Sequence, residues 1–158
     1  VVTTLAGSTT SGSANGTGTA ASFNGPTGVT TDGTNLYVTE DVNHMIRKIV
    51  ISTGVVTTVA GSTDNGSTNG TGTTASFYKP TGITTDGTNL FVADINNHMI
   101  RKIVISTGVV TTLAGSTTSG SANGTGTAAS FNYPADISTD GTSLFVSDMS
   151  NHMIRKID

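Results

Sequence analysis

Apolar and polar residues alternate through short β-branched runs along the whole chain, a period of two that predicts half-buried strands. In the first stretch the pattern predicts strands over residues 28–31, 36–39, 44–51 and 55–60, lettered a to d here. Asp32-Gly33 separates a from b and predicts a tight hairpin turn, because both residue types tolerate positive φ. Gly54 is placed for a left-handed bulge position between c and d. Residues 8–22 are a Gly/Ser/Thr/Asn run without apolar periodicity and read as a long loop. Residues 1–6, Val-Val-Thr-Thr-Leu-Ala, alternate as residues 55–60 do and read as one more d strand.

The pattern then repeats. Gly7, Gly61 and Gly115 align, as do Phe23, Phe77 and Phe131, and each step is 54 residues with no insertion or deletion. The repeats are residues 1–54, 55–108 and 109–158. Several strands in a unit of this size predict propeller blades, none of which buries its apolar face alone. The expected fold class is therefore all-β, a β-propeller with three four-stranded blades per chain. Propellers hold about four to eight blades, and six is the multiple of three in that range. A leading d strand and a last blade without one predict a homodimeric six-bladed ring. In it Val1, Val2, Thr3, Thr4 and Leu5 of each chain pair with Met153, Ile154, Arg155, Lys156 and Ile157 of the other.

Composition narrows the chemistry. The chain has no cysteine, which removes disulfides and thiolate metal sites. Its net charge of −3 and a variable face richer in acids than in bases oppose nucleic-acid binding. No apolar run approaches the length of a membrane span, so no membrane partner is expected. Low lysine content and polar, uncharged loops lean towards a bacterial secreted or cell-surface origin.

Each copy carries Asp-Gly-x-x-Leu-aromatic-Val-x-acid, at Asp32 to Glu40, Asp86 to Asp94 and Asp140 to Asp148, followed by Asn-His-Met-Ile-Arg-Lys-Ile from Asn43, Asn97 and Asn151. The first two copies also carry Pro-x-Gly-Val/Ile at Pro26 and Pro80. Over essentially its whole length the chain resembles the NHL-repeat family, whose Asn-His-Leu signature is close to Asn43-His44-Met45. The resemblance implies a six-bladed propeller. It leaves function open, since such propellers serve as protein-binding scaffolds, RNA binders and a few lyases or hydrolases.

Differences between the copies single out one face. The d-to-a connectors and b-to-c loops, expected to emerge together, hold nearly all of them, so a ligand is expected to meet Asn24, Tyr78, Lys79, Tyr133, Asp136, Asp41, Ile95 and Met149. Asp136 stands where the other copies have Gly28 and Gly82; if that glycine serves positive φ or close packing, Asp136 strains the spot or faces the channel. His44, His98 and His152 lie near Glu40, Asp94 and Asp148, but in different blades, so each is expected to cap the start of strand c and no metal or other cofactor is expected. The same acids with Arg47, Arg101 and Arg155 read as structural charge pairs. The Asn-Gly-Thr tripeptides at Asn15, Asn69 and Asn123 match a glycosylation sequon and equally ordinary turn chemistry. The sequence thus reads as a non-catalytic scaffold that assembles with itself, either recently duplicated or engineered. Its further partner is an unknown protein, peptide or small ligand on the variable face. The alternative is a lyase- or lactonase-type enzyme using the central channel.

Overall fold

The computed structural model describes residues 1–158 as three antiparallel sheets. The first blade runs from the inner strand β2 (Pro26–Thr31) through β3 (Asn35–Glu40) and β4 (Met45–Val50) to the outer β5 (Val55–Gly61), preceded in the chain by a short β1 (Gly16–Thr17) that pairs with β5. The second repeats it with β6 (Gly70–Thr71), β7 (Pro80–Thr85), β8 (Asn89–Asp94), β9 (Met99–Val104) and β10 (Val109–Gly115). The third holds only β11 (Pro134–Thr139), β12 (Leu144–Asp148) and β13 (Met153–Ile157).

The connectors differ from the sequence-based expectation of a plain loop. Residues 8–22 contain β1 and a 3₁₀ turn, Gly18–Ala20, and the Gly18 N–H donates to the Gly54 carbonyl (2.9 Å), which holds the connector against the start of β5. The Asp-Gly turn also differs: of its two residues only the glycine takes positive φ, 87° at Gly33. Asp32 instead accepts the backbone N–H groups of Thr34 and Asn35 on Oδ1, at 2.9 and 2.7 Å, an Asx turn that lengthens the connection. Gly54 has the left-handed φ expected of it, 68°, while the bulge between β4 and β5 falls at Ile46 and Arg47. Residues 1–6, expected as a d strand, join no sheet, and the edge of β13 is left unpaired.

Two cores lie between blades. Tyr37, Ile46 and Ala60 of the first blade meet Phe77, Ile83, Leu90 and Val92 of the second, and Phe91, Ile100 and Ala114 of the second meet Phe131, Ile137 and Val146 of the third. Each blade therefore has a leading face, carrying the connector phenylalanine, and a trailing face. A smaller cluster, Ala21, Val38, Ile49 and Val56, is buried within the first blade, and neither terminal face meets another blade.

Candidate functional site

The family signature folds into one structural network per blade. In the second, buried Asp94 accepts from the Tyr78 backbone N–H (2.8 Å), Asn97 Nδ2 (2.8 Å) and Arg101 Nη1 (2.9 Å). Arg101 donates onward to the carbonyls of Ser76 and Thr68 and to Asn69 Oδ1, and its guanidinium carbon lies 5.1 Å from the Phe77 ring centroid. Glu40 with Arg47, and Asp148 with Arg155, do the same in the other blades. The acids and arginines are thus the charge pairs expected. The sequence reading missed Asn15, Asn69 and Asn123, whose side-chain oxygens accept from these arginines. The signal was present in the unvarying Asn-Gly-Thr of all three copies.

The histidines act differently from the strand cap expected. His44, His98 and His152 take left-handed φ of 57–58° just before strand c, and the side chains of the first two reach sideways to the next blade. His44 Nδ1 accepts the Lys79 N–H (3.2 Å), and His98 Nδ1 accepts the Tyr133 N–H (3.1 Å). Lys79 and Tyr133 themselves have φ of 58° and 54°, where the first copy has Gly25 at 67°. The histidine rings meet Tyr78 and Tyr133 edge to face, at 5.7 and 4.7 Å. His152 is exposed.

These latches titrate. Burial holds both imidazoles below their usual pKa; Lys79 adds to this at His44 against Asp41, and Asp148 opposes it at His98. The unfolded chain then binds protons more strongly, so this stabilisation is present above the ordinary value of 6.5 and is lost as pH falls below it. Asp94, pushed up to about 6 by burial against its three donors, works in the opposite sense: its contribution is present below the ordinary carboxylate value and lost as pH rises through about 6. Thermal unfolding is expected to compare the two proteins directly. The fall in Tm of the native chain from about pH 7.5 to about pH 5 should be flattened in a His44→Asn, His98→Asn variant, since asparagine tolerates left-handed φ without titrating and Asp94 is common to both.

Of the ligand-facing candidates, the structure brings several to one face. The Asp41 N–H donates to the Gly25 carbonyl, Asn96 N–H to Tyr78 and Met149 N–H to Tyr133, which joins each connector end to the b-to-c loop of its own blade. Tyr78, Tyr133 and Met149 are exposed there, and Ile95 is half-buried. They are distributed blade by blade around the face. Asn24 donates its N–H to Glu40 (2.7 Å) as part of the structural network. Asp136 is separate, at the inner end of a groove lined by Phe145, Ser147 and Ile154 on the trailing face of the third blade.

The largest surface features lie at the open ends. A cavity of about 510 Å³ is lined by Leu113, Gly124, Thr125, Phe131, Lys156 and Ile157. In the first blade the corresponding space is filled by β5, paired with β1 on one side and β4 on the other. On the leading face of the first blade Val29 is 63% exposed, while its counterparts Ile83 and Ile137 are 6% and 4% exposed. On the trailing face of the third, Ile154 is 75% exposed, and Ile46 and Ile100 are fully buried.

Comparison with known proteins agrees with this architecture. NHL repeat-containing protein 2 from Homo sapiens is 37% identical over 107 residues, which cover 65% of this chain and 15% of that protein. A structural genomics protein of unknown function from Bacteroides thetaiotaomicron superposes with a TM-score of 0.71 at 30% identity, over 77% of this chain and 32% of that one. An auxiliary nutrient binding protein from Bacteroides ovatus does so with a TM-score of 0.70 at 25% identity, over 80% of this chain and 35% of that one. The chain thus spans a small part of the curated relative and about a third of each solved chain. No protein-family model matches it.

Proposed function

The chain belongs to the NHL-repeat family, and from that premise we propose that it is a non-catalytic binding scaffold whose two open faces are closed by a second copy of itself, giving a six-bladed ring. The supporting observation is that each open face repeats the residues of a covered one. Phe23, Val29, Val38 and Ile49 are the counterparts of Phe77, Ile83, Val92 and Ile103, which pack against the first blade. Phe145 and Ile154 are the counterparts of Phe91 and Ile100, which pack against the third. A trailing face that presents these apolar residues to the next leading face within the chain can present them to that face on another copy.

The register follows from the intact blades. As Ile49 pairs with Val56 and Arg47 with Thr58, Ile157 would pair with Val2, and Arg155 with Thr4, of the second copy. Gly124 would pair with Val2 from the other side, as Gly16 does with Val56. Residues 1–7 of the second copy would then lie in the cavity beside β13.

The non-catalytic reading rests on the occupation of the ionisable groups. Asp94 and its counterparts are each held by several donors, and the network recurs in every blade with no unique constellation. Ligand binding is assigned to the face bearing Tyr78, Lys79, Tyr133 and Met149, in line with the nutrient-binding description of the Bacteroides ovatus structure.

Light scattering behind a sizing column tests the assembly. The 158-residue chain is expected at twice 15.9 kDa, and a version lacking residues 1–7 at the monomer mass. A native monomer across the accessible concentration range would overturn the ring, leaving further blades of a longer chain as the occupant of the open faces.

A further inference from the structure

The inner strands come together most closely at one position per blade. A Cβ on Gly28 would lie 2.3 Å from the Thr81 carbonyl oxygen, and one on Gly82 would lie 2.5 Å from the Asp136 Cα. Neither distance is compatible with a side chain, and both obstacles are backbone. Neither glycine is among the residues of positive φ, so the requirement is spacing between blades and not local conformation.

Asp136 occupies this position in the third blade. The register is the same: Gly28 lies opposite Thr39 and Asp136 opposite Ser147, and each backbone N–H donates to the facing hydroxyl, at 2.8 and 2.9 Å. Asp136 is exposed and lines the groove on the trailing face, while its Oδ1 accepts the Ile137 N–H (2.9 Å) and turns back to within 2.6 Å of where a Cβ on Gly82 would stand. That face is the one the second copy covers.

We propose that Asp136 is a steric wedge at the seam between copies, holding the inner strand of the third blade away from β2 of the second copy. This inference rests on the ring closure proposed above and deepens it. With a Cβ where both intrachain junctions admit only hydrogen, the two seams of the ring cannot close to the spacing of the other four junctions. Each seam opens towards the axis while the outer strand exchange and the apolar faces hold it together. The ring is thereby weakest at the subunit boundary, and the wedge sets how readily the copies separate.

Sedimentation equilibrium on the full chain tests this with Asp136→Gly, Asp136→Ala and Asp136→Asn, circular dichroism confirming that each is folded. Removing the Cβ relieves overpacking at two seams, so Asp136→Gly is expected to tighten the dimer by about tenfold or more. Alanine and asparagine keep the Cβ and are expected to stay within about threefold of the native Kd, an allowance small beside one tenfold step. If the native chain dimerises and Asp136→Gly leaves its Kd unchanged, the wedge fails and the ring stands. If asparagine tightens the dimer as much as glycine, charge and not bulk is the cause, and the wedge is again overturned. If every form stays monomeric, both the ring and the wedge fall.

Discussion

Arg101→Ala is expected to destabilise the chain by about 3–5 kcal/mol, the usual result of removing one member of a buried ion pair. Arg101 and Asp94 are both fully inaccessible, with Nη1 and Oδ2 at 2.9 Å. Alanine leaves the Asp94 charge buried with only Asn97 and the Tyr78 N–H as donors. It also takes the donor from the Ser76 and Thr68 carbonyls and from Asn69. Replacing both charges with apolar residues is not expected to restore stability, because the Tyr78 N–H would then lose its acceptor and Asn97 Nδ2 would keep only the Gly66 carbonyl. Urea denaturation of the single and paired variants measures both effects. A loss under about 1 kcal/mol for Arg101→Ala would mean that the pair behaves like an exposed one.

Phe77→Ala is expected to cost a similar amount, about 3–5 kcal/mol, the range for truncating a core aromatic. Phe77 is fully buried in the junction between the first two blades, beneath the Arg101 guanidinium. Its counterpart Phe23 supplies the contrast. Phe23 carries the same cation–π contact, with Arg47 at 5.3 Å, but is only half-buried because the leading face of its blade is open in the single chain. At concentrations where the chain is monomeric, Phe23→Ala is therefore expected to cost clearly less than Phe77→Ala. In the closed ring the two costs should converge, and denaturation at low and high protein concentration reads the difference. Equal costs at both concentrations would argue that no second copy covers Phe23.

Both predictions concern residues whose position in the repeat was plain from the sequence. The 54-residue period, the alternating runs and the paired acid and arginine stated the blade and its charge network before any coordinates, because strand periodicity and repetition are local properties. Glycine at 54 and its copies could likewise be read as a left-handed position, as φ of 68° at Gly54 bears out. The turn at Asp32-Gly33 was less legible: a carboxylate accepting two backbone N–H groups competes with the two-residue hairpin, and residue preference alone does not separate them.

What remained hidden depended on neighbours 30 or more residues away. The reach of His44 to Lys79 and of His98 to Tyr133 crosses a blade boundary, so nothing within one repeat announced it. The same holds for Gly28 and Gly82, whose lack of a side chain serves the approach of the next inner strand, and for the meaning of Asp136 in their place. The repeat pattern thus specified the blade, since its strands are set by residues close along the chain. The junctions were decided by packing, because which face is covered, how closely, and by which residues depends on how whole blades stand against one another.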